Sequence, residues 1–197
     1  MIFFKMKKYK EMYDDCKIAE SIKGKTLDSS MIMGIAKQED GKYEEAIQIF
    51  DQVLVSHPNF FSASICRAWA IYLKGDLDSA LKEYQILFET MPSSLEIILK
   101  LSIIELDKNM ITASEKHINI FINKCSNLEI RAHIAEIINL YTKKPEFHEL
   151  NYLLGLLYES VKDNKLAISR YSRYNKYGKN KKLKMKISKK LKELKSQ

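Results

Sequence analysis

The sequence predicts an all-α chain, a solenoid of antiparallel helix pairs with an extra helix before it and a Lys-rich capping helix after it. Three observations carry this. Residues 29–94 match themselves at a shift of 34, with Gly34 on Ala68, Gly41 on Gly75, Ala46 on Ala80, Phe50 on Tyr84 and Pro58 on Pro92. The apolar residues recur near the helical period throughout. Gly41, Gly75, Pro58 and Pro92 stand where a helix would leave off rather than inside one.

Each of these positions has a physical task. Small residues at Gly34 and Ala68 in the first helix, and at Ala46 and Ala80 in the second, allow close backbone approach. Phe50 and Tyr84 lie one turn beyond the alanines on the same face and fill space between neighbouring units. Gly41 and Gly75 suit a left-handed turn after the first helix. Pro58 and Pro92 stop the second helix, since Pro has no N–H and restricts the residue before it. One pair cannot bury its apolar face, so about three or more must stack.

With this small–Gly–Ala–aromatic–Pro pattern at a 34-residue period, residues 29–94 resemble the tetratricopeptide repeat (TPR) family. The resemblance implies helix–turn–helix units and a function in binding.

The chain has 197 residues, 46% of them hydrophobic, with 6 Gly and 3 Pro, so it is able to bury a core. No apolar run reaches the roughly 18 residues of a membrane span. The apolar part of the N-terminus is too short for a signal-peptide core. Cys16, Cys66 and Cys125 are odd in number and widely spaced, which suggests buried thiols in a reducing compartment, with the cytoplasm expected. The formal charge of +8 is unevenly spread. Residues 165–197 hold thirteen Lys or Arg and one acid, Glu193, whereas residues 1–164 are net acidic by four charges. An electrostatic partner therefore concerns the C-terminus alone.

In chain order, residues 1–27 carry an amphipathic helix over 5–22, with Met6, Tyr9, Tyr13, Cys16 and Ala19 on one face. A cap on the first repeat, a self-association surface and a membrane-surface helix are the readings open to it. Asp14, Asp15 and Glu20 weigh against the last. Gly24 ends the helix, and Asp28 or Ser29 is expected to cap the next. Residues 28–126 are expected to form three tandem repeats. The third is degenerate: Ser102, Asn109, Ser114, Ile118 and Ser126 stand for the small, Gly, Ala, aromatic and Pro positions, with Ser93 and Glu96 as a capping box. An out-of-phase helix occupies 127–146, with Ser126 and Glu129 as its capping box. A further repeat-like pair follows over 147–179. Its Leu154, Gly155 and Tyr158, then Ala167 and Tyr171, lie 19 residues out of register. Either the array kinks there, or the last pairs run 129–161 and 164–195. Residues 180–197 form a basic amphipathic capping helix with Leu183, Ile187, Leu191 and Leu194 in one stripe.

No nucleotide-binding, zinc-protease or serine-hydrolase motif is present, so no enzyme, cofactor or metal is expected. His57, His117, His133 and His148 are scattered. His117 and Cys125 are separated by about 12 Å along a helix, too far to share a metal.

The TPR resemblance implies a ligand groove lined by first helices. Its predicted members are Met31, Ile35 and Gln38; Ile65, Trp69 and Tyr72; and Leu99, Ile103 and Leu106. The same concave positions also include Asp28, Ser62 and Glu96. The clamp that holds acidic C-terminal peptides in some TPR domains is absent, because Met31 and Ile35 replace its Lys and Asn. The expected groove is apolar, with Trp69 central, unless the chain's own N-terminal helix or a second copy covers it. The leading expectation is an adaptor or chaperone that holds an apolar or amphipathic segment of a partner protein. The layout is similar to class II chaperones of type III secretion translocators, from which the extra C-terminal repeat departs. The other readings are a nucleic-acid or ribosome-associated factor docking through its Lys-rich end, a weak polyanion contact, and a structural subunit of a larger assembly.

Overall fold

Two units, divided after Pro92, make up the computed structural model, which describes residues 2–196 and the side chains of 8–22 and 24–196. The described residues form helices joined by short turns, with no strand among them. The first unit holds α1 (Ile2–Lys23), α2 (Leu27–Glu39), α3 (Tyr43–Ser56), α4 (Phe61–Lys74) and α5 (Leu77–Thr90). The second holds α6 (Leu95–Asp107), α7 (Ile111–Lys124), α8 (Asn127–Lys143), α9 (Leu150–Ser160), α10 (Asn164–Tyr177) and α11 (Lys181–Lys195).

Four antiparallel pairs, α2/α3, α4/α5, α6/α7 and α9/α10, pack as units, and the first and last share a ring-on-glycine contact. A Cβ built on Gly34 would lie 2.5 Å from the Phe50 ring, and one on Gly155 2.3 Å from the Tyr171 ring. Phe50 thus packs first on the opening helix of its own pair, and also on Ala70 of the next pair. Tyr84 adds a hydrogen bond from its hydroxyl to the Ile65 carbonyl, 3.1 Å. In the third pair Ser114 Oγ donates to the Ser102 carbonyl at 2.8 Å, so serines fit the small positions without an orphaned hydroxyl. Buried Glu105 meets His117 Nδ1 at 2.7 Å across the same pair.

The turn after each first helix needs a left-handed residue. Gly41 (φ 81), Gly75 (φ 108), Asn109 (φ 59) and Lys162 (φ 61) supply it. Lys162 was not identifiable from its residue type, because Lys is no left-handed former. Helices α3 and α5 end two residues before Pro58 and Pro92, as expected.

Helix α1 lies antiparallel on α2: Ser29 Oγ donates to Glu20, and Lys37 Nζ lies 4.2 Å from the Tyr13 ring centroid. Its inward residues include Tyr9, Met12, Tyr13, Cys16 and Glu20, whereas Ala19 is exposed. The Met6 side chain lies outside the described residues. The cap of α2 is Thr26 rather than Asp28 or Ser29: Thr26 is the extended residue, and Ser29 completes a reciprocal box from the third position. Similarly Ser94, not Ser93, caps α6. Ser126 and Glu129 form the expected box at α8.

In the second unit α9 packs more extensively on α10 than on α8. Helix α11 buries Leu183, Ile187, Leu191 and Leu194, each such side chain contributing about 1.5–3 kcal/mol when removed from water. Lys186 and Lys190 reach back to Glu115 on α7 and Glu159 on α9, at 2.7 and 2.8 Å.

These turns make a direct prediction for urea unfolding. Lys162→Gly should leave stability unchanged or raise it by up to about 1 kcal/mol, while Gly75→Ala should lower it by about 1 kcal/mol.

Candidate partner-binding surface

Helical spacing places Met31, Ile35 and Gln38 on one face of α2. Ile35 is 36% exposed, and Ile32 beside it is 39% exposed. Met31 is half-buried and packs on the cluster of Ala46, Phe50 and Ala70. Gln38 is buried, and its Oε1 has no hydrogen-bond partner.

On α4, Ile65 and Trp69 are each 9% exposed and Tyr72 is fully buried. The Trp69 ring stacks on Tyr72 with centroids 4.6 Å apart and meets Tyr84 edge-on at 6.5 Å. Trp69 is therefore a core aromatic with one narrow edge in solvent. In the second unit Leu99, Ile103 and Leu106 are buried, at 2% exposure or less. Water thus reaches the apolar part of the predicted lining chiefly at Met31 and Ile35. Asp28, Ser62 and Glu96, at the remaining concave positions, are exposed. Ile32 and Phe61, both exposed, were not in the predicted lining. Ile32 follows Met31 directly, so a one-face reading of α2 passes over it.

The polar groups elsewhere are tied into local structure. His57 Nδ1 lies 3.0 Å from Ser56 Oγ, His133 pairs with Glu136 at 3.2 Å, and His148 lies within reach of the Tyr141 hydroxyl. No group of three metal-ligating side chains occurs among the described residues. Burial pushes the Cys16 and Cys125 thiols up, away from the reactive thiolate. A polar cleft of about 420 Å³ in the second unit is lined by Asp107, Asn109, Lys144, Glu149 and Asn180. The Lys144–Asp107 ion pair of 2.6 Å and the Asn180–Asn109 hydrogen bond of 2.9 Å already bridge it.

Antiparallel helix pairs with a ring-on-glycine contact and a left-handed turn define the class of α-helical repeat folds. A family model for the tetratricopeptide repeat matches residues 28–59. Among solved structures, a TPR protein from Parabacteroides merdae is similar over 96% of this chain and 79% of that one, with 16% identity and a TM-score of 0.55. A TPR protein from Thermus thermophilus is similar over 86% of this chain and 81% of that one, with 16% identity and a TM-score of 0.44. A search of curated proteins found no match. Residues 28–59 are a tetratricopeptide repeat, and the fold of the chain is that of TPR proteins. This fold serves protein–protein interaction.

The buried tyrosines of the second unit give a pH prediction. Burial, then hydrogen bonds to Glu115 and Glu159, push the Tyr152 and Tyr171 phenols far up, and burial pushes Tyr174 up to about 12. All three are raised above the ordinary value of about 10, so the stability they confer is present below that pH and is lost as pH rises through the folded values. An absorbance titration of the 11 tyrosines should show at least these three ionising late, together with unfolding.

Proposed function

We propose that the chain is a non-enzymatic adaptor or chaperone that holds an apolar or amphipathic segment of a partner protein on the α2–α4 face of the first unit. Met31, Ile35 and Ile32 form the accessible apolar strip in this reading. Ile65 and Trp69 offer their edges, and Tyr72 supports Trp69 from within. Leu99, Ile103 and Leu106 serve the core.

The observation that carries the proposal is the pair of exposed apolar side chains on α2, Ile32 at 39% and Ile35 at 36%, beside half-buried Met31. A cytoplasmic location accords with the odd number and wide spacing of Cys16, Cys66 and Cys125.

Co-purification with mass spectrometry tests this reading. Ile32→Asp with Ile35→Asp, both at exposed positions, should leave the helical circular dichroism intact and remove the captured partner. Ile103 is unsuitable for such a change, because Asp at a position only 2% exposed would unfold the second unit. A folded Ile32/Ile35 variant that retains its partner would rule out the α2–α4 site.

A further inference from the structure

The outer side of α11 is a second surface, independent of the α2–α4 face. The apolar stripe of α11 is turned inward and buried. The opposite side presents Lys182, Lys189 and Lys192, with Lys181 and Lys195 beside them, all exposed. These five lysines make no ion pair among the described residues, in contrast to Lys186 and Lys190 on the flanks. Glu193 is the one acid on the helix. At the centre of the lysine face lies Met185, 71% exposed.

A partner for this face must be anionic, and its form follows from what the face lacks. Helix α11 has no Arg, so it offers point charges rather than bidentate forks. It also has no aromatic on which a base could stack. A single convex helix about 22 Å long suits a flat surface better than a strand that must be wrapped. Met185 is the decisive residue: an apolar side chain ringed by lysines enters a headgroup layer, but gains nothing from a phosphate backbone.

We propose that the outer face of α11 docks the protein on an anionic phospholipid surface, with Lys182, Lys189 and Lys192 on the headgroups and Met185 in the interfacial layer. The contact is superficial, because the stripe that an inserting helix would use is already buried in the protein.

Sedimentation of the full chain with vesicles tests this. Phosphatidylcholine–phosphatidylserine vesicles should carry the protein down and pure phosphatidylcholine vesicles should not. Binding should vanish near about 1 M salt, where the screening length is about 3 Å. Each lysine contributes about fivefold at such a surface, so Lys182→Gln, Lys189→Gln and Lys192→Gln together should weaken binding more than about a hundredfold. Met185→Ala should weaken it severalfold. Circular dichroism should be unchanged in both variants, since all four side chains are exposed. Failure to sediment with anionic vesicles, equal sedimentation with both lipids, or undiminished binding by the triple variant would overturn the proposal. So would binding to polyuridylate without vesicle binding and unaffected by Met185→Ala, which would mark the face as an RNA surface. The Ile32/Ile35 variant should bind vesicles normally, so failure of either proposal is separable from the other.

Discussion

An aromatic ring pressed onto a glycine too small to resist it sets the geometry of the first and fourth helix pairs. Phe50 on Gly34 and Tyr171 on Gly155 leave no room even for a methyl group. That approach brings the two backbones together and so dictates a tight turn between the helices. The turn in its turn requires a left-handed residue, which each pair provides. The remaining core, from Val53 to Leu87 in the first unit and from Ile97 to Leu194 in the second, packs on helices already held in this way.

The third pair shows how much variation the contact tolerates. Ser102 replaces the small residue and Ile118 the ring, and Ser114 returns a hydrogen bond to the Ser102 carbonyl. Glu105 and His117 then add a largely buried carboxylate–imidazole contact across the pair. In the fourth pair the polar ties extend to α11. Glu159 accepts from both Tyr171 and Lys190, and Glu115 from both Tyr152 and Lys186. Two carboxylates thereby join α7, α9, α10 and α11. The flanking lysines of the terminal helix are structural, whereas those on its outer face are not.

The pairs were legible because Gly, Pro and aromatic residues at fixed offsets each have a narrow set of physical uses. The α11 stripe was legible because Leu183, Ile187, Leu191 and Leu194 recur at helical spacing among lysines. Local competition was harder to read. Thr26 outranked Asp28 and Ser29 as a cap because an extended backbone, not residue type alone, makes a cap. Met12 turned inward and Ala19 outward because the antiparallel lie of α1 on α2, fixed by Glu20–Ser29 and Tyr13–Lys37, decides which residues face in. The predicted lining was the least legible part. Spacing assigns Trp69, Tyr72 and Leu106 to a face of a helix but does not state whether that face is covered. The unpaired Gln38 oxygen had no signal in the sequence at all, since a missing partner is a property of the packed structure.

The dependence of the fold on the small-to-aromatic contact is tested most directly by a double-mutant cycle in the fourth pair. Gly155→Ala alone should overpack the site and destabilise the protein by about 1–3 kcal/mol in urea unfolding. In a Tyr171→Leu background, where the ring is gone, the same change should be close to neutral. The coupling between the two positions should then be about 1 kcal/mol or more. Additive effects, with Gly155→Ala equally costly whether or not the ring is present, would contradict the account.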